Sequence, residues 1–147
     1  MTIKEESPSE PLYAELIALS EAWEAENSCY GYRRNTKDDI DGNRIFTARE
    51  GGETIGYLFG HAEAATRSSS VMPDGTACFE IEEIYVKPEY RSRGVGSALF
   101  RFAEEQIKGS ADFITLGTAT KDYKAILHFY IDALGMDFWS ARLFKRI

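Results

Sequence analysis

The stretch from Glu80 to Gly96, EIEEIYVKPEYRSRGVG, constrains this chain more than any other. Ile84, Tyr85 and Val86 carry strand propensity, and Pro88 stops the ladder. Gly94 then opens a helical repeat of Val95, Leu99, Phe102, Ala103 and Ile107 that ends before Gly109. A strand, a basic turn, a glycine pair and a helix in that order make an anion site. Two positions without side chains let backbone N–H groups close on an oxyanion, and the first helical turn aims its unpaired donors at the same spot. Arg91 and Arg93 add planar forks suited to phosphate oxygens. A diphosphate fits that description.

The rest of the chain arranges itself around this unit. Thr2–Glu6 alternates weakly as a first strand, and a helix follows Ser9 and Pro11, with Leu12, Leu16, Leu19 and Trp23 on one face. Thr36–Ile40 reads as a short capped helix. Ile45–Glu50 and Glu53–His61 flank Gly51-Gly52 as a hairpin, in which His61 reads as a packed or edge residue. Ala62–Gly75, with Thr66-Arg67-Ser68-Ser69-Ser70, reads as a flexible loop, and Ala77–Val86 as the central strand. Asp112–Thr118 predicts a fifth strand, parallel to the fourth because a helix crosses between them. Lys121–Leu134 predicts a second amphipathic helix stopped by Gly135, and Asp137–Arg146 one or two closing strands. The fold class is therefore α/β, a mixed sheet of about six to seven strands flanked by helices, in one domain spanning residues 1–147.

Composition narrows the function. A net charge of −7 argues against nucleic acid, yet Lys87, Arg91, Arg93 and Arg101 outnumber the single acidic Glu89 around the glycines. That polarity suits one patch for an anionic ligand on an acidic protein. Cys29 and Cys78, with His61 and His128, form no ligand spacing, so neither a metal nor a disulfide framework is expected. No apolar run approaches the roughly 20 residues that span a bilayer, and Met1–Glu6 lacks the apolar run of a signal peptide. No membrane partner and a cytoplasmic location are the expectation.

Arg91, Gly94 and Gly96 fill the pattern Gln or Arg, two residues, Gly, one residue, Gly or Ala, with Val86-Lys87-Pro88-Glu89-Tyr90 upstream and Ser97-Ala98-Leu99 downstream. This resembles the acyl-CoA-binding signature of the Gcn5-related N-acetyltransferases. His128-Phe129-Tyr130 and Leu134-Gly135-Met136 resemble that family's second motif more loosely, with one more residue between Tyr130 and Gly135 and Met136 where Phe is common.

The resemblance implies acetyl-CoA as cosubstrate, held by the backbone of Ile84, Tyr85 and Val86 and by the loop Arg91, Ser92, Arg93, Gly94, Val95, Gly96 and Ser97, where two parallel strands splay apart. It implies direct attack by a neutral primary amine. Glu82 occupies the position of a catalytic glutamate in several members, where a bulge can turn it into the cleft; Glu83 or a water relay is the alternative base. Tyr130 falls on the usual general acid. The acceptor is expected to be a small cationic amine, polyamine or aminoglycoside-like, met by Trp23, Glu24, Tyr30, Tyr32, Asp38 and Asp39. A protein or peptide amine, or a non-catalytic CoA-binding module, are the alternatives, and the carboxyl-terminal aromatics leave a homodimer open.

Overall fold

The computed structural model describes residues 1–67 and 70–147; Ser68 and Ser69 of the expected loop lie outside the described residues. Its sheet runs in chain order: β1 (Thr2–Glu6), β2 (Arg44–Glu50), β3 (Glu53–Ala64), β4 (Ala77–Val86) and β5 (Phe113–Thr115). The first four strands are antiparallel neighbours, and β5 joins β4 in parallel.

Helices cover both faces. On one side α1 (Glu10–Glu26) and α2 (Lys37–Ile40) bury Leu12, Leu16, Leu19 and Ile40 against Tyr57, Phe59 and Tyr85. On the other, α3 (Val95–Ile107) packs Leu99, Phe100 and Ala103 onto Phe46, Leu58 and Ile81. Local chemistry sets the boundaries. The Ser9 hydroxyl accepts from the Leu12 N–H at 3.2 Å, and α1 ends where Asn27 turns left-handed at φ 52°. The Asp39 carboxylate accepts from the Thr36 N–H at 2.7 Å, starting α2.

β4 carries the irregularity that matters most. Phe59 pairs with Glu83 and Gly60 with Ile81, so Glu82 has no partner on β3 and forms a bulge. A regular strand alternates faces with period two, which would put Ile81 and Ile84 on opposite sides. The bulge removes one step, and Phe79, Ile81, Ile84 and Val86 all pack toward α3. Gly60 makes this possible, since a Cβ there would lie 2.2 Å from the Glu80 carbonyl oxygen and 2.8 Å from the Phe79 ring.

Two expectations are corrected. Among the described residues the sheet has five strands, not six or seven, because residues 137–147 form no strand. β5 offers only three residues of edge for pairing, and the tail leaves Phe138, Trp139, Leu143 and Phe144 exposed. The second amphipathic helix is also not uniform. α4 (Tyr123–Leu127) passes into a π-helical turn, His128–Ala133, in which the Leu134 N–H reaches back five residues to the Phe129 carbonyl at 3.1 Å. The wider turn takes up the extra residue between Tyr130 and Gly135 and still returns Leu134 and Met136 to the core. No helix among the described residues is long and apolar enough to cross a membrane.

Candidate active site

β4 and β5 pair only from Cys78–Glu80 to Phe113–Thr115. A hydrogen bond from the Thr115 hydroxyl to the Glu80 carboxylate holds the strands together at the last of these pairs, and beyond it they part. A cleft of about 910 Å³ opens there, between the C-terminal half of β4, the start of α3, residues 116–120 and the Phe129–Tyr130 turn.

The β4 edge facing this gap is chemically exposed. The Lys87 N–H bonds to the Ile55 carbonyl in β3 at 2.9 Å, and Tyr85 pairs with Tyr57, so alternation turns the backbone groups of Ile84 and Val86 to the open side. At its end the chain makes the turn that the sequence singled out. Ser92 is left-handed at φ 61° and Gly94 at φ 81°, and a Cβ on Gly94 would meet nothing within 4 Å. The first α3 bond runs from the Ala98 N–H to the Gly94 carbonyl at 2.9 Å, which leaves the amides of Val95, Gly96 and Ser97 without helical acceptors. An open left-handed turn followed by free helical donors fits a diphosphate. Gly96 serves a second purpose, because a Cβ there would lie 3.2 Å from Phe129 Cζ.

The arginines are placed less simply. Arg91 lines the cleft but spends its guanidinium on protein groups, and Arg93 lies over the Tyr90 ring at 5.6 Å. Among the described residues no group of three or more His, Cys, Asp or Glu side chains could hold a metal.

Glu82 and Glu83 both line the cleft, and the bulge turns both toward the α1 side of the sheet. Glu82 is half exposed and its Oε1 lies 3.4 Å from His61 Nδ1, which is also 3.2 Å from Asn43 Oδ1. Glu83 is enclosed. Tyr57, Asn35 and Tyr32 all donate to its Oε1, at 2.7, 2.9 and 3.0 Å, and Oε2 accepts from none of the described groups. Burial pushes the Glu83 carboxyl above its usual range, and the three donors oppose but do not cancel that rise. This cluster was not predicted, since its members come from the loop after α1, from β3 and from β4.

Tyr130 lies across the cleft. Burial, with a smaller contribution from Cys29, pushes its hydroxyl up to about 12, so it stays protonated at neutral pH. Of the residues expected to meet an acceptor, Trp23, Tyr30 and Tyr32 line the cleft. The Trp23 and Tyr32 rings lie 4.2 Å apart, a wall suited to a cation. Glu24 is bound by Arg34 and Asp39 caps α2; neither these nor Asp38 reach the lining. The loop after α1 is tied to the chain leaving β5, with the Tyr30 N–H on the Ala119 carbonyl and the Lys121 N–H on Ser28, both at 2.9 Å.

Known proteins share this fold. A 65-residue stretch is 37% identical to an uncharacterized N-acetyltransferase of Lactobacillus delbrueckii subsp. lactis, covering 44% of this chain and about a third, 35%, of that relative's length. A mutant of the Bacillus halodurans protein BH1408 superposes with a TM-score of 0.75 at 17% identity, covering 100% of this chain and 99% of the other. An aminoglycoside acetyltransferase from an uncultured soil metagenomic sample superposes with a TM-score of 0.71 at 14% identity, covering 99% and 95%. The family model described as Acetyltransferase (GNAT) family matches residues 10–136, and on that match the chain belongs to the GNAT acetyltransferases.

Proposed function

We propose that the protein is a cytoplasmic N-acetyltransferase that moves an acetyl group from acetyl-CoA to the primary amine of a small cationic molecule, of polyamine or aminoglycoside type. One observation carries the reading: the free amides of Val95, Gly96 and Ser97 and the open β4 edge meet Glu82, Glu83 and Tyr130 in a single cleft. The loop from Ser92 to Ser97 holds the diphosphate, and the backbone of Ile84 pairs with the pantetheine arm as an added strand would. The thioester is thereby aimed at the splay.

Glu82 takes the proton from the incoming ammonium group, directly or through a water, and the freed amine nitrogen bonds to the thioester carbonyl carbon. As the carbon–sulfur bond breaks, the Tyr130 hydroxyl gives its proton to the departing thiolate. The nitrogen sheds its second proton to solvent as the amide forms, solvent returns one to Tyr130, and Glu82 releases the one it took, so each turnover frees one proton. The aromatic wall of Trp23, Tyr30 and Tyr32 favours a compact cation over a protein chain. The similarity to aminoglycoside acetyltransferases supports the same class.

A second assignment of the base rests on a specific observation. Glu83 has a carboxyl raised by burial and an Oε2 that accepts from none of the described groups, so it holds a proton at higher pH than a fully solvated carboxylate would. On that assignment Glu82 attracts the amine.

Incubating the protein with acetyl-CoA and a panel of amines, and reading released thiol, tests the function. Thiol release that needs a cationic small amine, and that falls in Glu82→Gln and Tyr130→Phe, is the expected result. CoA binding with no acetylation of any amine or peptide would instead mark a binding module.

A further inference from the structure

Arg91 is the signature residue that a sequence reading sends to the phosphates, and the structure sends it elsewhere. Its Nε donates to the Val86 carbonyl at 2.8 Å, and its two terminal nitrogens donate to Oε1 and Oε2 of Glu26 at 2.7 and 2.9 Å. The guanidinium also lies over the Tyr85 ring at 5.3 Å. Glu26 is the last residue of α1, its side chain is only 22% exposed, and its Oε2 accepts a further bond from the Tyr85 hydroxyl at 2.7 Å. Three separate elements therefore meet at one carboxylate: the end of the acceptor-side helix, the end of β4 and the start of the phosphate loop.

The residue that follows Arg91 gives this knot a purpose. Ser92 is left-handed without being a glycine, a conformation that persists only where the surroundings hold it. Arg91 is fixed on one side of it, and Gly94, also left-handed, begins α3 on the other. Releasing the Arg91 side chain lets Ser92 relax to an ordinary φ, and the amides of Val95 to Ser97 then lose their common aim.

We propose that Glu26 is a positioning residue for the diphosphate loop, which through Arg91 holds the Ser92–Gly94 turn in the geometry that binds CoA. The inference rests on the reading that this loop takes the diphosphate. Arg91 then contributes to affinity as a tie rather than as a phosphate ligand. Its grip on Val86 also removes that carbonyl from the β4 edge, leaving the backbone of Ile84 to pair with pantetheine. Because Glu26 ends the helix that leads into the Ser28–Tyr32 loop, the acceptor wall and the phosphate loop share one fastening.

The test compares CoA with pantetheine, which lacks the diphosphate. CoA binding is measured by calorimetry and pantetheine binding by chemical-shift titration, alongside thermal unfolding, for the wild type, Glu26→Ala and the double variant E26A/S92G. Loss of the tie is expected to weaken CoA about tenfold while pantetheine affinity stays within about twofold. Glycine at position 92 adopts the left-handed turn unaided, so the double variant should regain most of the lost CoA affinity. A structural role alone would lower the melting temperature without separating the two ligands. Should Glu26→Ala fold poorly, Glu26→Gln, which keeps one acceptor for Arg91, is measured in the same way and should show a smaller loss in the same direction. The proposal is overturned if CoA binds a Glu26 variant as tightly as the wild type, if pantetheine affinity falls in step, or if glycine at position 92 restores nothing. A wild type that binds no CoA sinks the cofactor reading and this one with it; wild-type binding with an indifferent Glu26 sinks this one alone.

Discussion

On one side of the cleft, the groups offered to a ligand come from one run of chain, Ile84 to Ser97, and most are backbone amides and carbonyls. On the facing side they are side chains brought from far apart. Glu83 gathers Tyr57, Asn35 and Tyr32 from 26, 48 and 51 residues away in the sequence. A wall made of backbone depends on φ and ψ, and tolerates changes of side chain that leave those angles alone. A wall made of side chains depends on which residues are present and on the core that holds them.

The largest expected effect separates the two walls. Glu82→Gln should lower the transfer rate by about 10² to 10⁴ while leaving the CoA dissociation constant unchanged. Steady-state kinetics and calorimetry on the same protein check it, and a fall in CoA affinity would mean that the walls are not independent. If Glu83→Gln shows this loss and Glu82→Gln does not, the base is Glu83.

Gly60→Ala should follow in size. Its Cβ would press on the Glu80 carbonyl and the Phe79 ring beside the bulge, at a cost of about 1–3 kcal/mol, and transfer should fall because Glu82 is displaced. Chemical denaturation together with the transfer assay reads both, and full activity would show that the bulge does not aim Glu82. Gly94→Ala probes the backbone wall. With φ at 81° and open space around it, its penalty is conformational, roughly 1–2 kcal/mol, and should appear as weaker CoA binding with the amine KM unchanged.

The smallest effect is a shift in pH dependence. The Tyr57 hydroxyl lowers the Glu83 carboxyl by donating to it, so Tyr57→Phe should raise that carboxyl further. If Glu83 is the base, the acid limb of the rate profile then moves to higher pH, by less than about one unit. An unmoved limb leaves Glu82 as the base. In every variant the Tyr130 hydroxyl, raised to about 12, should impose no alkaline fall-off below pH 10.

The same contrast governs what the sequence made legible. The strand, turn and helix from β4 to α3 could be read because they are local events, each marked by its own residues, such as Pro88, Gly94 and the apolar repeat of α3. The bulge at Glu82 was expected from family resemblance; its own signal is the run Ile81-Glu82-Glu83-Ile84, whose isoleucines are spaced for opposite faces and yet pack on one. The donors on Glu83 had no local mark. Tyr57 looks like any strand aromatic, and Asn35 like any loop polar residue, until the fold brings them together. The tail misled for the opposite reason. Its aromatic residues have strand propensity, but the edge beside them is three residues long, and propensity without a partner makes no ladder.

The unpaired glutamate in β4 also bears on how such a protein could change over time. Deleting that single residue would restore perfect alternation along the strand, keep Phe79, Ile81, Ile84 and Val86 on the α3 side, and leave Tyr85 among its aromatic neighbours. The sheet would close up undisturbed while one of the two carboxylates vanished. A loss of one codon thus lies between a cleft with two adjacent carboxylates on β4 and an intact sheet that presents one.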